Sequence, residues 1–132
     1  MNETEKAYLA GLIDGEGNIF ISNNIGLQVG ISMSCKATIK YVAQLWSSRC
    51  EQKTIISRRR DMYRTRIFGS KAQDMLRQIL PYMITKRQQA EWTLLLPIGP
   101  SGRGRNTYTQ KQKELREMIA CYIKEYNSGD MV

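Results

Sequence analysis

The chain has 132 residues, of which 42% are apolar, a balance typical of one globular domain with a modest core rather than of a disordered chain. It contains no histidine, which excludes Ser–His and Cys–His catalysis and histidine-ligated zinc. Its 20 basic and 12 acidic residues give a net charge of +8, which favours a polyanionic partner such as nucleic acid over a basic surface without a partner.

Targeting signals and cysteines indicate the compartment. No stretch reaches the roughly 18 apolar residues that span a membrane, and residues 1–6 do not resemble a signal peptide. Cys35, Cys50 and Cys121 are odd in number and far apart, which argues against a disulfide framework. These features predict an intracellular protein in a reducing compartment, such as the cytoplasm or an organelle matrix.

The charges are segregated along the chain. Residues 1–20 hold one basic and four acidic side chains, a net charge of −3. Residues 35–71 hold ten basic and two acidic side chains, a net charge of +8, and residues 72–132 hold nine and six, a net charge of +3. A metal-dependent nuclease needs this combination, because cations hold phosphates and carboxylates hold the metal.

Hydrophobic periodicity predicts an alternation of helices and strands. In chain order these are a helix over about 3–14, strands over 18–22 and 27–33, a helix over 34–48, strands over 53–60 and 62–68, helices over 70–81 and 86–96, a loop over 98–106 and a helix over 110–126. The order α-β-β-α-β-β-α with extra C-terminal helices indicates an α+β domain, an antiparallel sheet with helices on one face. We expect a single domain over 1–132, with its core in about 3–96.

Two local patterns in this series stand out. The first helix is apolar or small almost all round in its second half, which predicts burial on more than one side. Within it, Gly11 and Gly15 are four residues apart and leave room for another backbone to approach. The first strand alternates polar and apolar side chains with the exception of Phe20.

The sheet face away from the helices is predicted to be polar and basic. A face of this kind, wide and without a covering helix, could accept a nucleic-acid duplex, the alternatives for each arginine being phosphate contact or plain solubility. The predicted DNA-binding residues on this face are Ser22, Gln28, Ser32, Arg58, Arg60, Arg64 and Arg66.

Two acids close the first helix. Asp14 and Glu16 lie where the helix carbonyls already concentrate negative potential, a position that disfavours acids by a few tenths to about 1 kcal/mol. A divalent cation would make the arrangement favourable, and oxygen ligands without histidine or cysteine suit Mg²⁺ or Ca²⁺. The alternative is a pair of solvated acids beside a glycine stop.

The segment Leu9–Gly17, which reads LAGLIDGEG, resembles the signature of LAGLIDADG homing endonucleases. Seven of its nine positions match, with Gly15 and Glu16 in place of Ala and Asp. The resemblance covers about residues 4–96. It implies the saddle-shaped antiparallel sheet of that family and double-strand cleavage of DNA.

The resemblance also implies an assembly. Family members with one motif act as homodimers at long, near-palindromic sites, and this chain has one motif. The two copies would pack through the motif helices, with Leu9, Gly11, Leu12 and Asp14 as the dimer-interface residues. Asp14 would cap the helix of the partner copy.

The resemblance implies specific roles in the site. Glu16 would bind the metal directly, and Gly15 would add its backbone oxygen. The metal would be Mg²⁺, with Ca²⁺ or Mn²⁺ as substitutes in binding. Lys86, in a segment that resembles the one after the family's third helix, would act beside the scissile phosphate, the alternative being a solvated lysine. The polar sheet face would lie in the DNA major groove.

Two positions depart from the family pattern. Where one single-motif member has a glutamine that orders the attacking water, this chain has Cys35, and where it has an arginine one turn later, this chain has Ile39. These departures affect the site map more than the expected activity. Beside a DNA endonuclease of intron or intein origin, two functions of other classes stay open. One is a non-cleaving RNA maturase or DNA-binding regulator with the same fold, and the other is an unrelated RNA-binding module.

Overall fold

The structure is a computed structural model that describes residues 1–22, 26–53, 61–97 and 108–128, without the side chains of Ser22 and Lys53. Within these residues the chain forms four strands, five α-helices and one short 3-10 helix. The elements are α1 (Glu3–Glu16), β1 (Gly17–Ser22), β2 (Gly26–Met33), α2 (Lys36–Leu45), β3 (Glu51–Lys53), β4 (Met62–Phe68), α3 (Gly69–Ile79), the 3-10 helix (Leu80–Tyr82), α4 (Arg87–Leu94) and α5 (Gln110–Asn127).

The four strands form one antiparallel sheet in the order β1-β2-β4-β3. Register places Ile19 and Ile67 on either side of Val29, and the alternation of side chains turns all three towards the helices. This face and the helices α1, α2 and α3 enclose the core. Its largest fully buried side chains are Trp46, Leu9, Ile13, Ile19, Leu27, Ile31, Ile39, Ile67, Leu76, Ile79, Met83 and Ile123. The predicted α+β fold class is confirmed.

Several predicted boundaries were wrong. The helix α1 continues to Glu16, two residues further than predicted, because its glycines do not interrupt the hydrogen-bonded turns. Cys35, not Ser34, is the N-cap residue of α2, which ends at Leu45 rather than at 48. The strand before β4 begins at Glu51, two residues earlier than predicted, and is described as far as Lys53; residues 54–60 and the predicted loop over 98–106 lie outside the described part of the chain.

Two further expectations concern cysteines and membranes. Cys35, Cys50 and Cys121 are all free thiols, as their number and spacing predict. In the described part of the chain, no helix combines the length and apolar character needed to cross a membrane.

A buried hydrogen bond joins the C-cap residue of α2 to the middle of the sheet. Nε1 of Trp46 donates to Oγ1 of Thr65 at 2.8 Å, and both residues are almost completely buried. A buried donor that loses its acceptor costs more than the bond itself contributes, because the donor is already removed from water.

We predict that Thr65→Val destabilises the fold by about 1–3 kcal/mol, since it keeps the shape of the side chain and removes the acceptor of Trp46. Chemical denaturation followed by tryptophan fluorescence measures the loss. Thr65→Ser keeps the hydroxyl and should cost clearly less; equal costs for the two variants would show that the hydrogen bond is not the cause.

Candidate functional site

The last turn of α1 holds both acids of the motif. Asp14 is half-buried, and Glu16, the final residue of the helix, is exposed. No basic residue lies in this turn, so both carboxylates meet the partial negative charge of the helix C-terminus. This end of the helix therefore favours positive groups or N–H donors from other segments.

The Asp14 carboxylate receives two such donors from the segment that enters α4. Its Oδ2 accepts the backbone N–H of Ile84 at 2.8 Å, and its Oδ1 accepts the backbone N–H of Lys86 at 2.9 Å. In return, Nζ of Lys86 donates to the backbone carbonyl of Asp14 at 2.7 Å. These bonds join residues about 70 positions apart and place an ammonium group at the negative end of the helix.

Glu16 is differently placed. Its carboxylate has no hydrogen-bond or ion-pair partner among the residues that the structure describes, and it is open to solvent. Gly15 beside it is also exposed. Within those same residues, no three acidic or cysteine side chains come together as a metal site. Among the described residues, one chain thus presents a single free carboxylate at this point, two residues after Asp14, whose carbonyl oxygen accepts from Nζ of Lys86.

Gly17 allows the helix to pass directly into the sheet. It is both the C-cap of α1 and the first residue of β1, and its N–H donates to the carbonyl of Ile13. A Cβ at this position would lie 2.7 Å from the Cα of Ile13, closer than real side chains come. The last glycine of the motif is therefore required by space, and it keeps Glu16 next to the start of β1.

The exposed face of α1 carries a stripe of small residues. Ala7, Gly11 and Gly15 lie four residues apart on this face, and a Cβ added to either glycine would meet nothing within 4 Å. Tyr8 flanks the stripe, 46% exposed, and packs edge-on against Tyr41 of α2 with ring centroids 5.7 Å apart. In the single chain, α1 is thus buried along one side and open along the other.

The four predicted dimer-interface residues have different environments. Leu9 lies in the chain's own core with no exposed surface, and Leu12 is half-buried against that core. Gly11 is exposed. Asp14 binds the backbone of its own chain, as described above.

The outward face of the sheet brings together part of the predicted DNA-binding set. In the register of β2 and β4, Arg64 lies opposite Ser32, and Arg66, two residues further along β4, lies opposite Gly30. Gln28 lies on the same face of β2, four residues before Ser32, and is 6% exposed. Of the remaining members, Arg58 and Arg60 are outside the described residues, and so is the side chain of Ser22.

Glu51 on β3 holds the two arginines in place. Arg66 donates to both of its carboxylate oxygens at 3.2 Å, and Arg64 donates to Oε2 at 3.3 Å. Burial of the carboxylate acts to raise the pKa of Glu51, but the hydrogen bonds and charges of Arg66 and Arg64 outweigh burial and lower it. The three side chains form an ordered, mainly positive cluster on the sheet.

Gly30 gives Arg66 the space for this arrangement. A Cβ on Gly30 would lie 3.1 Å from Cγ of Arg66, so the arginine stem lies over the glycine. The guanidinium then comes within 5.4 Å of the ring centroid of Phe68. Arg64 is held less completely, since its Nε is buried without a hydrogen-bond partner in the described residues.

The two departures from the family pattern have different structural meanings. Cys35 is exposed at the N-cap of α2, and the hydrogen bond that its Sγ accepts from Oγ1 of Thr38 at 3.2 Å is the main reason why the pKa of its thiol is lowered. Ile39 is completely buried in the core. The second position therefore serves packing in this chain and is not available for contact with a substrate.

A family model described as a LAGLIDADG-like domain matches residues 3–80, more than half of the chain. The chain belongs to the LAGLIDADG family. The matched range includes both motif acids and the whole sheet, and it ends before Lys86, which the fold alone brings to the motif. Comparison with curated protein sequences gives no match.

Solved homing endonucleases share the fold of this LAGLIDADG protein at low identity. I-CvuI in complex with its target in the presence of Ca²⁺ has a TM-score of 0.68 at 17% identity, covering 92% of this chain and 80% of that one. The archaeal intron-encoded I-Vdi141I, complexed with DNA, has a TM-score of 0.68 at 14% identity, covering 93% and 84%. I-TnaI has a TM-score of 0.54 at 12% identity, covering 92% and 86%.

Sequence reasoning missed Glu51 and Phe68 on the sheet face. Glu51 belongs to a strand that the periodicity placed too late, so no pattern put it beside the arginines. Phe68 was assigned to a strand, yet its outward direction depends on the register with β2. Only Phe20 gave a signal, as the exception in an alternating strand.

We predict that Asp14→Asn loosens the turn that carries Lys86, because an amide offers one acceptor where the carboxylate offers two. Hydrogen–deuterium exchange at the amides of Ile84 and Lys86 should accelerate by about tenfold or more, which corresponds to the loss of one charge-assisted bond. Asp74→Asn on α3 is the control: Asp74 is exposed and, among the described residues, bonds Arg77 alone. Unchanged exchange at residues 84 and 86 would contradict the anchoring role of Asp14.

Proposed function

We propose that the protein is a homing endonuclease that hydrolyses both strands of a specific, near-palindromic DNA site as a homodimer with Mg²⁺. The observation that carries this proposal is the juxtaposition at the end of α1. The last turn of α1 carries the free carboxylate of Glu16 and, on the carbonyl of Asp14, the ammonium group of Lys86, and it leads directly into a sheet that presents arginines. DNA cleavage needs all three kinds of group: arginines to bind phosphates, a carboxylate to hold the metal, and an ammonium group to stabilise charge on the phosphate under attack.

The oxygen donors at the helix end suit a divalent cation. Glu16 and the backbone oxygen of Gly15 are hard ligands of the type that Mg²⁺ and Ca²⁺ prefer. Two oxygens are fewer than either ion requires, so oxygens from a second copy, from DNA phosphates or from water would complete the set. A cation bound there supplies Lewis-acid stabilisation of the charge that develops on a phosphate under attack by water.

Lys86 has a role of its own in this mechanism. Its Nζ is fixed by the Asp14 carbonyl, and its backbone is fixed by the Asp14 carboxylate. An ammonium group held in this way is prepared to face a phosphate oxygen without further ordering, which is how positioned charges favour a transition state. Asp14 therefore acts through Lys86 and does not touch the phosphate itself.

The open side of α1 supports the homodimer. Two helices can approach closely only where both carry small residues, and Ala7, Gly11 and Gly15 supply such a stripe. Contact along it would bring two copies of Glu16 near a two-fold axis, one for each DNA strand. A two-fold protein presents two identical half-site surfaces, which is why the target should be nearly palindromic.

The sheet face supports recognition of duplex DNA. Arg64 and Arg66 present guanidinium groups that can bind guanine edges in the major groove, and the surrounding positive charge attracts phosphates. Ser32 lies directly across from Arg64 and can add a hydroxyl contact to a base. The charge segregation of the sequence thus becomes a spatial division between the acidic end of α1 and the basic sheet.

Cys35 favours a second candidate, a LAGLIDADG-fold RNA maturase or DNA-binding regulator that does not cleave. A thiol orders water less well than the amide that one family member has at this position. Such a protein would keep the basic face and would not need the carboxylate of Glu16. Cleavage assays on the wild-type protein separate the two candidates.

We predict that Glu16→Gln lowers the rate of Mg²⁺-dependent cleavage by about a hundredfold or more, the scale of losing one electrostatic contact to a transition state. Binding to the same duplex in Ca²⁺, measured by fluorescence anisotropy, should be nearly unchanged. The matched control is Glu3→Gln at the other end of α1, where the carboxylate pairs with Lys6. Cleavage by Glu16→Gln at the wild-type rate would refute the metal assignment.

We predict that Gly11→Leu converts the dimer to a monomer without unfolding the chain, because its side chain meets nothing in the single chain and fills the small-residue stripe. Sedimentation equilibrium should give twice the chain mass for the wild type and one chain mass for the variant. Gln78→Leu adds a leucine to an exposed site on α3 and should leave the dimer intact. A dimeric Gly11→Leu protein would place the interface elsewhere.

A further inference from the structure

Two phenylalanines lie on the polar face of the sheet. Phe20 of β1 and Phe68 of β4 are direct partners of Gln28 on β2, one on each side of it. Residues opposite each other in an antiparallel sheet share a face, so all three side chains lie on the face that carries Arg64 and Arg66. The rings are 36% and 38% exposed, while Gln28 between them is almost covered.

The outward direction of Phe20 is fixed by the register. Its neighbours Ile19 and Ile21 pair with Val29 and Leu27 on the core side, so Phe20 cannot turn inward unless the whole strand slips by one residue. Each phenylalanine leaves more than a third of its surface in water, and two rings with a common neighbour make an apolar patch within a basic surface. The patch therefore suits an occupant that is mainly anionic and partly apolar.

Charge complementarity identifies that occupant as the major groove of duplex DNA. Arg66 lies 5.4 Å from the Phe68 ring centroid, so a duplex held by the arginine also meets the ring. The apolar group that the major groove offers at its base edges is the C5 methyl of thymine, and cytosine gains the same group when it is methylated.

We infer that Phe20 and Phe68 form a reader of 5-methylpyrimidines, which makes recognition by this protein depend on thymine methyl groups and on cytosine methylation. This inference rests on the proposed binding of duplex DNA. The two rings are separated by two strand spacings, about 10 Å, which equals about three base-pair steps. Each half-site should therefore contain two methyl-dependent positions within about three base pairs of each other.

The test begins with selection of duplexes from a random library by the wild-type protein in Ca²⁺, which needs no cleavage. Each thymine of the selected duplex is then replaced by uracil, which removes only the C5 methyl. We expect two replacements in each half-site to weaken binding, by about fourfold for each lost methyl contact. A second duplex carries cytosine in place of one of these thymines. Replacing that cytosine by 5-methylcytosine should strengthen binding relative to the unmethylated second duplex.

Variants show whether the rings cause this preference. Phe20→Ala and Phe68→Ala should bind the thymine and uracil duplexes equally at the position each ring contacts, and Phe20→Leu, which keeps an apolar side chain, should retain part of the difference. Asn18→Ala, on the same strand and face, is the matched control and should keep the full difference. Thermal unfolding confirms that each variant is folded.

The outcomes are distinguishable. If no duplex is selected, the proposed function fails and this inference fails with it. If duplexes are selected but uracil replaces every thymine without loss, only the methyl reader is refuted. If Phe20→Ala changes the sedimentation mass and leaves the uracil difference intact, the rings cover a second copy of the chain and the inference is equally refuted.

Discussion

The candidate site depends on one interaction: the Asp14 carboxylate binds the backbone of the segment that leads into α4. It compensates an acid at a helix C-terminus, where the carbonyl dipoles oppose it, with two backbone N–H donors. The same anchoring brings Lys86 to the end of the helix, where its ammonium group meets the Asp14 carbonyl. Without it, Glu16 would stand alone at the most negative point of α1. The motif thus builds half of its site from a segment that lies beyond the sheet.

The sheet shows how a basic surface can be ordered before it meets a ligand. Glu51 reduces the repulsion between Arg64 and Arg66 and fixes their guanidinium groups, and Gly30 leaves space for the arginine stem. Preordered side chains lose less conformational freedom on binding than mobile ones do. Glu51 also lowers the positive charge of the face, so the two guanidinium groups are held in place at the cost of a weaker attraction for anions.

Two surfaces of the single chain are less polar than a free surface usually is. One is the small-residue side of α1 with Tyr8, and the other is the phenylalanine pair on the sheet. They lie on different elements and suit different occupants. The small-residue side of α1 allows another backbone to approach closely, whereas the phenylalanine pair lies among arginines. The proposed homodimer on DNA would close both surfaces at once.

The sequence by itself determined the fold class and the motif. Periods of two and 3.6 residues predicted the alternation of strands and helices, and the string from Leu9 to Gly17 indicated the family, because such patterns are local. Tertiary structure alone decided the pairing of Asp14 with residues 84 and 86, the arginine clamp of Glu51 and the outward position of Phe68. These contacts join residues from about 15 to about 70 positions apart. They follow from strand register and helix packing, which no short stretch of sequence specifies.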